Sequence, residues 1–86
     1  MYLVYILKCN DGSLYIGSTN NLQKRLHEHN HLKSGAHYTK IRRPVEIVYT
    51  EDVGDISSAR KREASLKKLT REEKLLLILS KNSDSN

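Results

Sequence analysis

From Tyr2 to Lys8 the chain is almost unbroken apolar and rich in β-branched and aromatic residues, the pattern of a central strand covered on both faces. Asn10-Asp11-Gly12 is a turn signal, and Leu14 to Gly17 reads as the returning strand of a hairpin. Asn20, with Gln23 three residues later, predicts the start of a helix that runs to about Asn30 and carries Leu22 and Leu26. Residues 31–43 follow no helical or strand period and contain Gly35; they read as a basic loop that holds Lys33, Lys40, Arg42 and Arg43 and no acidic residue. Past Pro44, the alternation Val45, Ile47, Tyr49 predicts a third strand, at a sheet edge because a proline opens it. A second helix, capped by Asp55 or Ser57, runs through Leu69, and Thr70 with Glu73 forms a capping box for a third. Leu75 to Leu79 of that third helix need the core or a partner. Lys81 to Asn86 is polar and expected to fray. The expected order is β-β-α-β-α-α, in a single domain over residues 1–80 with a tail at 81–86.

A chain of 86 residues has room for one compact core of about two layers and for no second domain. Fifteen Lys and Arg against ten Asp and Glu leave a formal charge of +5, which favours a polyanionic partner. No apolar run approaches the roughly 20 residues of a membrane span, and Met1-Tyr2-Leu3 lacks a basic region before an apolar stretch. The expectation is a soluble, cytoplasmic protein with no membrane partner. Cys9 is the only cysteine, so an internal disulfide is impossible and no cysteine cluster can hold zinc. It reads as a strand-end residue without catalytic duty.

Hairpin register decides whether Tyr5 and Tyr15 can cooperate, because a slip of one residue sends a side chain to the opposite face. A two-residue Asp11-Gly12 loop would pair Lys8 with Tyr15 and separate the tyrosines. A three-residue loop with Gly12 left-handed would pair Leu7 with Tyr15 and place both tyrosines on one face as diagonal neighbours. The sequence is compatible with either. On the first helix, Leu22, Arg25, Leu26 and His29 share one stripe, so a permanent cation and a group that titrates near neutral pH interrupt an inward face. The bland reading is a stripe edge where Arg25 snorkels and His29 caps backbone. On the second helix Glu63 shares the stripe of Ala59 and Leu66, where a carboxylate needs an ion pair, with Lys67 the obvious candidate, or a cation such as magnesium. His27, His29 and His31 look like metal ligands, but only His27 and His31 share a helix face and nothing completes a tetrahedral set. The basic loop is either a solvated surface or the rim of a nucleic-acid site, in which Tyr38 could stack on a base.

The ordered set Leu3-Val4-Tyr5, Tyr15-Ile16-Gly17, Arg25, His29-Asn30 and Glu63 resembles the GIY-YIG nuclease family across nearly its whole core. The resemblance is strongest to small stand-alone bacterial members of unassigned substrate, supported by Gly35-Ala36-His37-Tyr38-Thr39, Arg42-Arg43-Pro44-Val45 and Lys67-Lys68-Leu69. It implies an α+β fold, a small three-stranded antiparallel sheet flanked by helices. It also implies Tyr5 and Tyr15 beside a scissile phosphate, with Tyr15 favoured to take a proton from the attacking water, Arg25 bracing the phosphate and His29 relaying a proton or binding the phosphate. Glu63 would be the sole protein ligand of Mg²⁺ or Mn²⁺. A tyrosine base is awkward at an unperturbed pKa of about 10, so Tyr5, Tyr15 and His29 stay interchangeable in that role. Two positions depart from the pattern: Leu3 replaces the family's first glycine, and Ser18 stands where repair nucleases carry lysine.

The function expected is a divalent-metal-dependent endonuclease acting on DNA rather than RNA, at branched or damaged sites in repair or recombination. The alternative is a non-catalytic nucleic-acid-binding module with the same fold. Lys33, Tyr38, Lys40, Arg42 and Arg43 are the expected nucleic-acid contacts. A module this small carries little specificity of its own, which a second copy or a protein partner would supply. A basic structural domain that docks a partner through Leu75 to Leu79 is a third reading.

Overall fold

The apolar run at the start of the chain becomes the middle strand of the sheet. The computed structural model describes residues 1–32 and 37–84, in the order β1 (Tyr2–Lys8), β2 (Leu14–Thr19), α1 (Leu22–His31), α2 (His37–Lys40), β3 (Glu46–Gly54), α3 (Ile56–Lys67) and α4 (Arg71–Asp84). The sheet has three strands in the order β2-β1-β3, both pairings antiparallel. β1 is therefore hydrogen-bonded on both sides, and Val4, Tyr5, Ile6 and Leu7 are all buried. The strand that follows Pro44 lies at an edge, as expected.

The hairpin adopts the three-residue loop. Leu7 pairs with Tyr15 and Tyr5 with Gly17, while Gly12 takes a left-handed φ of 84° that a side chain would resist. Alternation along β1 then divides the molecule. Val4 and Ile6 face one layer with Ile16, Tyr49, Ala59, Leu66 and Ile78; Tyr5 and Leu7 face another with Cys9, Val45, Leu22 and Leu26.

Several boundaries differ from expectation for local reasons. Asn21 rather than Asn20 caps α1, its side chain accepting from Lys24 N–H, and the N–H of Asn21 donates to Thr19 Oγ1, a role the capping box had given to Gln23. α3 is capped by Asp55 and ends at Lys67 instead of Leu69, where Lys68 and Leu69 tighten into i to i+3 bonds with Ser65 and Leu66. The Thr70–Glu73 capping box forms reciprocally, at 2.8 and 3.2 Å. α4 carries on past Lys81 to Asp84, into the segment expected to fray. Among the described residues the added element is α2, four residues of helix inside the expected basic loop. On α4, Ile78 is buried and Leu77 packs beside it, whereas Leu76 and Leu79 stay 65% and 61% exposed. Among the described residues no helix is long and apolar enough to cross a membrane.

Candidate active site

On the α1 face the sheet buries hydroxyl and imidazole groups where hydrocarbon would be expected. The Tyr5 ring lies across Gly17, its partner on β2: a Cβ on Gly17 would stand 2.4 Å from the Tyr5 oxygen. Only glycine admits the ring there. The Tyr5 hydroxyl meets His29 Nε2 at 2.8 Å, and His29 Nδ1 meets Thr39 Oγ1 at 2.8 Å. His29 and Thr39 are both fully buried. Tyr15, two residues from Gly17, sets its ring against the imidazole edge-on, with centroids 5.1 Å apart.

This environment moves the proton equilibria. Burial, and then the positive charge of Arg25, holds His29 down at about 4, so the ring is neutral at physiological pH and must donate through one nitrogen and accept through the other. The chain of bonds runs in one direction at a time: Tyr5 O–H to Nε2 with Nδ1–H to Thr39, or Thr39 O–H to Nδ1 with Nε2–H to the Tyr5 oxygen. Burial, then Tyr15, pushes the Tyr5 phenol up to about 12, against a hydrogen bond and a charge from Arg25 that favour the phenolate. Arg25 alone does not make Tyr5 a base. What Tyr5 has instead is an imidazole within bonding distance.

Glu63 reaches this region from α3. Its carboxylate accepts from Ser18 Oγ at 2.8 Å, on the residue that follows Gly17, and from Lys67 Nζ at 2.7 Å. Its charge is felt at the Tyr5 phenol. The expected ion pair with Lys67 is thus formed, but with Lys67 more than half exposed it is worth at most about 1 kcal/mol. Tyr5, Tyr15, Arg25 and His29 gather on the α1 face; Glu63 stands on the other side of β2, bonded to Ser18, and only its charge reaches the Tyr5 phenol.

The expected nucleic-acid contacts fare differently. Lys33 lies outside the described residues. Arg43 donates to the carbonyls of Glu28, His29 and Leu32, so it closes the C-terminus of α1 and fixes the backbone that carries His29. Arg42 binds Asp11 Oδ2 at 3.1 Å and the Tyr38 carbonyl at 3.0 Å, and its guanidinium lies 3.9 Å over the Tyr38 ring. Tyr38 in turn stacks on Tyr15 at 6.0 Å. Lys40 is partly exposed at the end of α2. His27 and His31 stand side by side on the outside of α1, centroids 4.8 Å apart, and among the described residues no group of three His, Cys, Asp or Glu is placed to hold a metal.

For three contributors the sequence named no contact. Thr39 looks like any loop threonine, and only the packing of α2 on α1 turns it towards His29. Ser18 stood out as a departure from the family pattern, with no hint that it would bond Glu63. Asn30 exchanges two hydrogen bonds with the backbone of Val45, at 2.8 and 3.1 Å, and so locks the end of α1 to the approach to β3.

Comparison with known proteins decides the kinship. Residues 1–75 match the GIY-YIG catalytic domain. The chain belongs to the GIY-YIG family. A UPF0213 protein of Syntrophus aciditrophicus is 57% identical over 75 residues, covering 87% of this chain and 86% of the relative. A UPF0213 protein of Clostridium perfringens is 54% identical over 82 residues, covering 95% and 87%. Among solved structures, the solution NMR structure of a UPF0213 protein from Bacillus halodurans superposes with a TM-score of 0.60 at 36% identity, covering 94% of this chain and 86% of that one. That of a protein from E. faecalis gives 0.59 at 42% identity, covering 88% and 81%. This is a small GIY-YIG protein whose relatives' names specify no activity, and the family places it in a nuclease superfamily that acts on nucleic acid and typically depends on divalent metal.

Proposed function

We propose that this GIY-YIG protein is a divalent-metal-dependent endonuclease that hydrolyses phosphodiester bonds in DNA, at branched or damaged sites in repair or recombination. The observation that carries the reading is the buried series Tyr5–His29–Thr39 with Arg25 bearing on the same phenol. A structural role does not require a phenol, an imidazole and a guanidinium to meet where leucines would pack more favourably. It suits a site that must hold an anion and move a proton.

In the direction Tyr5 O–H to His29 Nε2, the phenol oxygen keeps its lone pairs for water. As water attacks phosphorus, Tyr5 accepts its proton while passing its own to Nε2, so no free tyrosinate forms. This assigns the base to Tyr5, with Tyr15 as its neighbour at the phosphate, instead of to Tyr15. The negative phosphate offsets the field of Arg25 that depresses His29, which makes the imidazole a better acceptor with substrate bound. Arg25, whose guanidinium is paired with Glu28 at 3.2 Å, would turn donors of its fork to the phosphate oxygens.

The donor chemistry near Ser18 suits a hard cation: Glu63 is a partly exposed carboxylate, an oxygen donor, with a hydroxyl beside it. Glu63 would hold Mg²⁺ or Mn²⁺, which when bound supplies charge stabilisation at the phosphate and the leaving oxygen. Ser18 orients the carboxylate by its hydrogen bond, and the solvent-exposed Lys67 pair is weak enough that a divalent ion would displace it. That both Glu63 oxygens are already bonded favours one second reading, a nucleic-acid-binding module in which Glu63 is only an ion-pair partner.

End-labelled single-stranded, duplex, flapped and branched DNA, and RNA, incubated with Mg²⁺ or EDTA, separate the two. The nuclease yields metal-dependent products on DNA that vanish in Glu63→Gln. Binding without wild-type cleavage on any substrate would leave the binding module.

A further inference from the structure

We propose that Tyr38 and Arg42 are positioning residues that hold the Tyr15 ring at the phosphate, and that they make no contact with nucleic acid. The inference rests on the nuclease reading for the role of Tyr15 and departs from the sequence-based expectation for the other two.

Tyr15 lies on β2, an edge strand with a hydrogen-bonded neighbour on one side only, and its ring is only partly buried. A phenol on such a strand keeps a fixed position only where other groups flank it. Besides the cluster of Tyr5, Leu7, Cys9 and Val45 against which it packs, two rings flank it: His29 meets it edge-on, and Tyr38 stacks against it at an interplanar angle of 30°. Both are controlled by the segment around α2, because Thr39 holds His29 and Tyr38 precedes Thr39.

That segment is tied to the hairpin tip. Asn10 N–H donates to the Arg42 carbonyl at 2.9 Å, and Arg42 N–H to the Thr39 carbonyl at 3.0 Å. The Arg42 side chain repeats the link, covering the Tyr38 ring while it binds Asp11. Asp11 is itself held by the N–H and hydroxyl of Ser13, at 3.0 and 2.6 Å. The series Ser13, Asp11, Arg42, Tyr38, Tyr15 thus starts and ends on the same hairpin and braces one side chain of β2 against its own turn. A nucleobase stacking where Arg42 lies would have to break the series that orients Tyr15. Two of the guanidinium's donors are already committed to Asp11 and the Tyr38 carbonyl.

The five tyrosines and the absence of Phe and Trp give a ring-labelled sample five tyrosine signals to follow. The test uses the full chain with ¹³C-labelled tyrosine rings, and the DNA substrate that the wild type cleaves best. Tyr38→Ala should shift the Tyr15 signal in the free protein, lower kcat about tenfold through misplacement, and leave KM within about twofold. Arg42→Gln, a surface change that keeps the domain folded should Tyr38→Ala fail to fold, should move the same signal and lower kcat in the same sense. Tyr38→Phe should match the wild type in both. An unmoved Tyr15 signal would overturn the inference, as would a raised KM with unchanged kcat and a shallower salt dependence of binding. Absence of wild-type cleavage on every substrate would overturn the nuclease reading instead, while the Tyr15 signal of Arg42→Gln, which keeps both rings and so removes no ring current, still decides without substrate whether the brace holds the ring.

Discussion

On the face covered by α3 and α4, β1 contributes Val4 and Ile6, and the helices answer with Ala59, Leu66 and Ile78. On the face covered by α1 the same strand contributes Tyr5, and the helix answers with His29. At their centres both faces exclude water, for His29 is as buried as Leu66. They differ in what exclusion achieves. Against hydrocarbon it stabilises the fold by about 25 cal/mol per Å² of buried apolar surface. Around an imidazole and a phenol it shifts proton affinities and leaves the groups dependent on each other for hydrogen bonds. One face should therefore respond to substitution in stability and the other in chemistry.

The largest expected effects set the faces directly against each other. Arg25→Ala should lower cleavage at least about 10³-fold, about 4 kcal/mol of barrier, and leave a cooperative thermal transition. Leu66→Ala should cost about 2–5 kcal/mol of stability in urea titrations and spare the activity per folded molecule. If the two variants behaved alike, the division would fail.

Acid should distinguish the faces next. The unfolded chain binds a proton on His29 near its ordinary pKa of 6.5, the folded chain only near 4. The stabilising contribution is thus complete above about pH 6.5, declines as pH falls, and is exhausted below about 4, for a total of up to about 3 kcal/mol. Denaturant titrations at pH 7, 5.5 and 4.5 should show this decline in the wild type and a flatter profile in His29→Gln; parallel profiles would show that His29 is not held neutral.

The fold was more legible than the site, for a physical reason. Strand β1 and the capping box of α4 are local patterns, and they read correctly; β3 forms too, but a bulge opposite Ile6 and Leu7 breaks its expected alternation, leaving Val45 and Ile47 in the layer of Leu7 and sending Tyr49 to that of Ile6. The hairpin register was undecidable because Asp11-Gly12 suits both loops; the packing of Tyr5 over Gly17 accompanies one of them. Four residues of α2 are too short to show a helical period. At the site, Arg25, His29 and Glu63 announced themselves as polar groups on inward stripes, but the bond from Tyr5 to His29 spans 24 residues and the cap from Arg43 spans up to 15. Residue types show that such groups need partners. The fold chooses them.

The smallest effect belongs to the boundary between the faces. Lys67→Gln should change stability by less than about 1 kcal/mol, because its pair with Glu63 is open to solvent. A loss of several kcal/mol in the same titrations would make Glu63 part of the structural face.

The most direct measurement is Tyr5→Phe, followed in parallel by thermal unfolding and by cleavage of the preferred DNA substrate. The variant keeps the ring over Gly17 and removes one oxygen. It should unfold cooperatively, with a loss of about 1–3 kcal/mol from the unpaired His29, and cleave at least about 100-fold more slowly. Cleavage at the wild-type rate would contradict the account, since the buried hydroxyl would then serve the fold and not the chemistry.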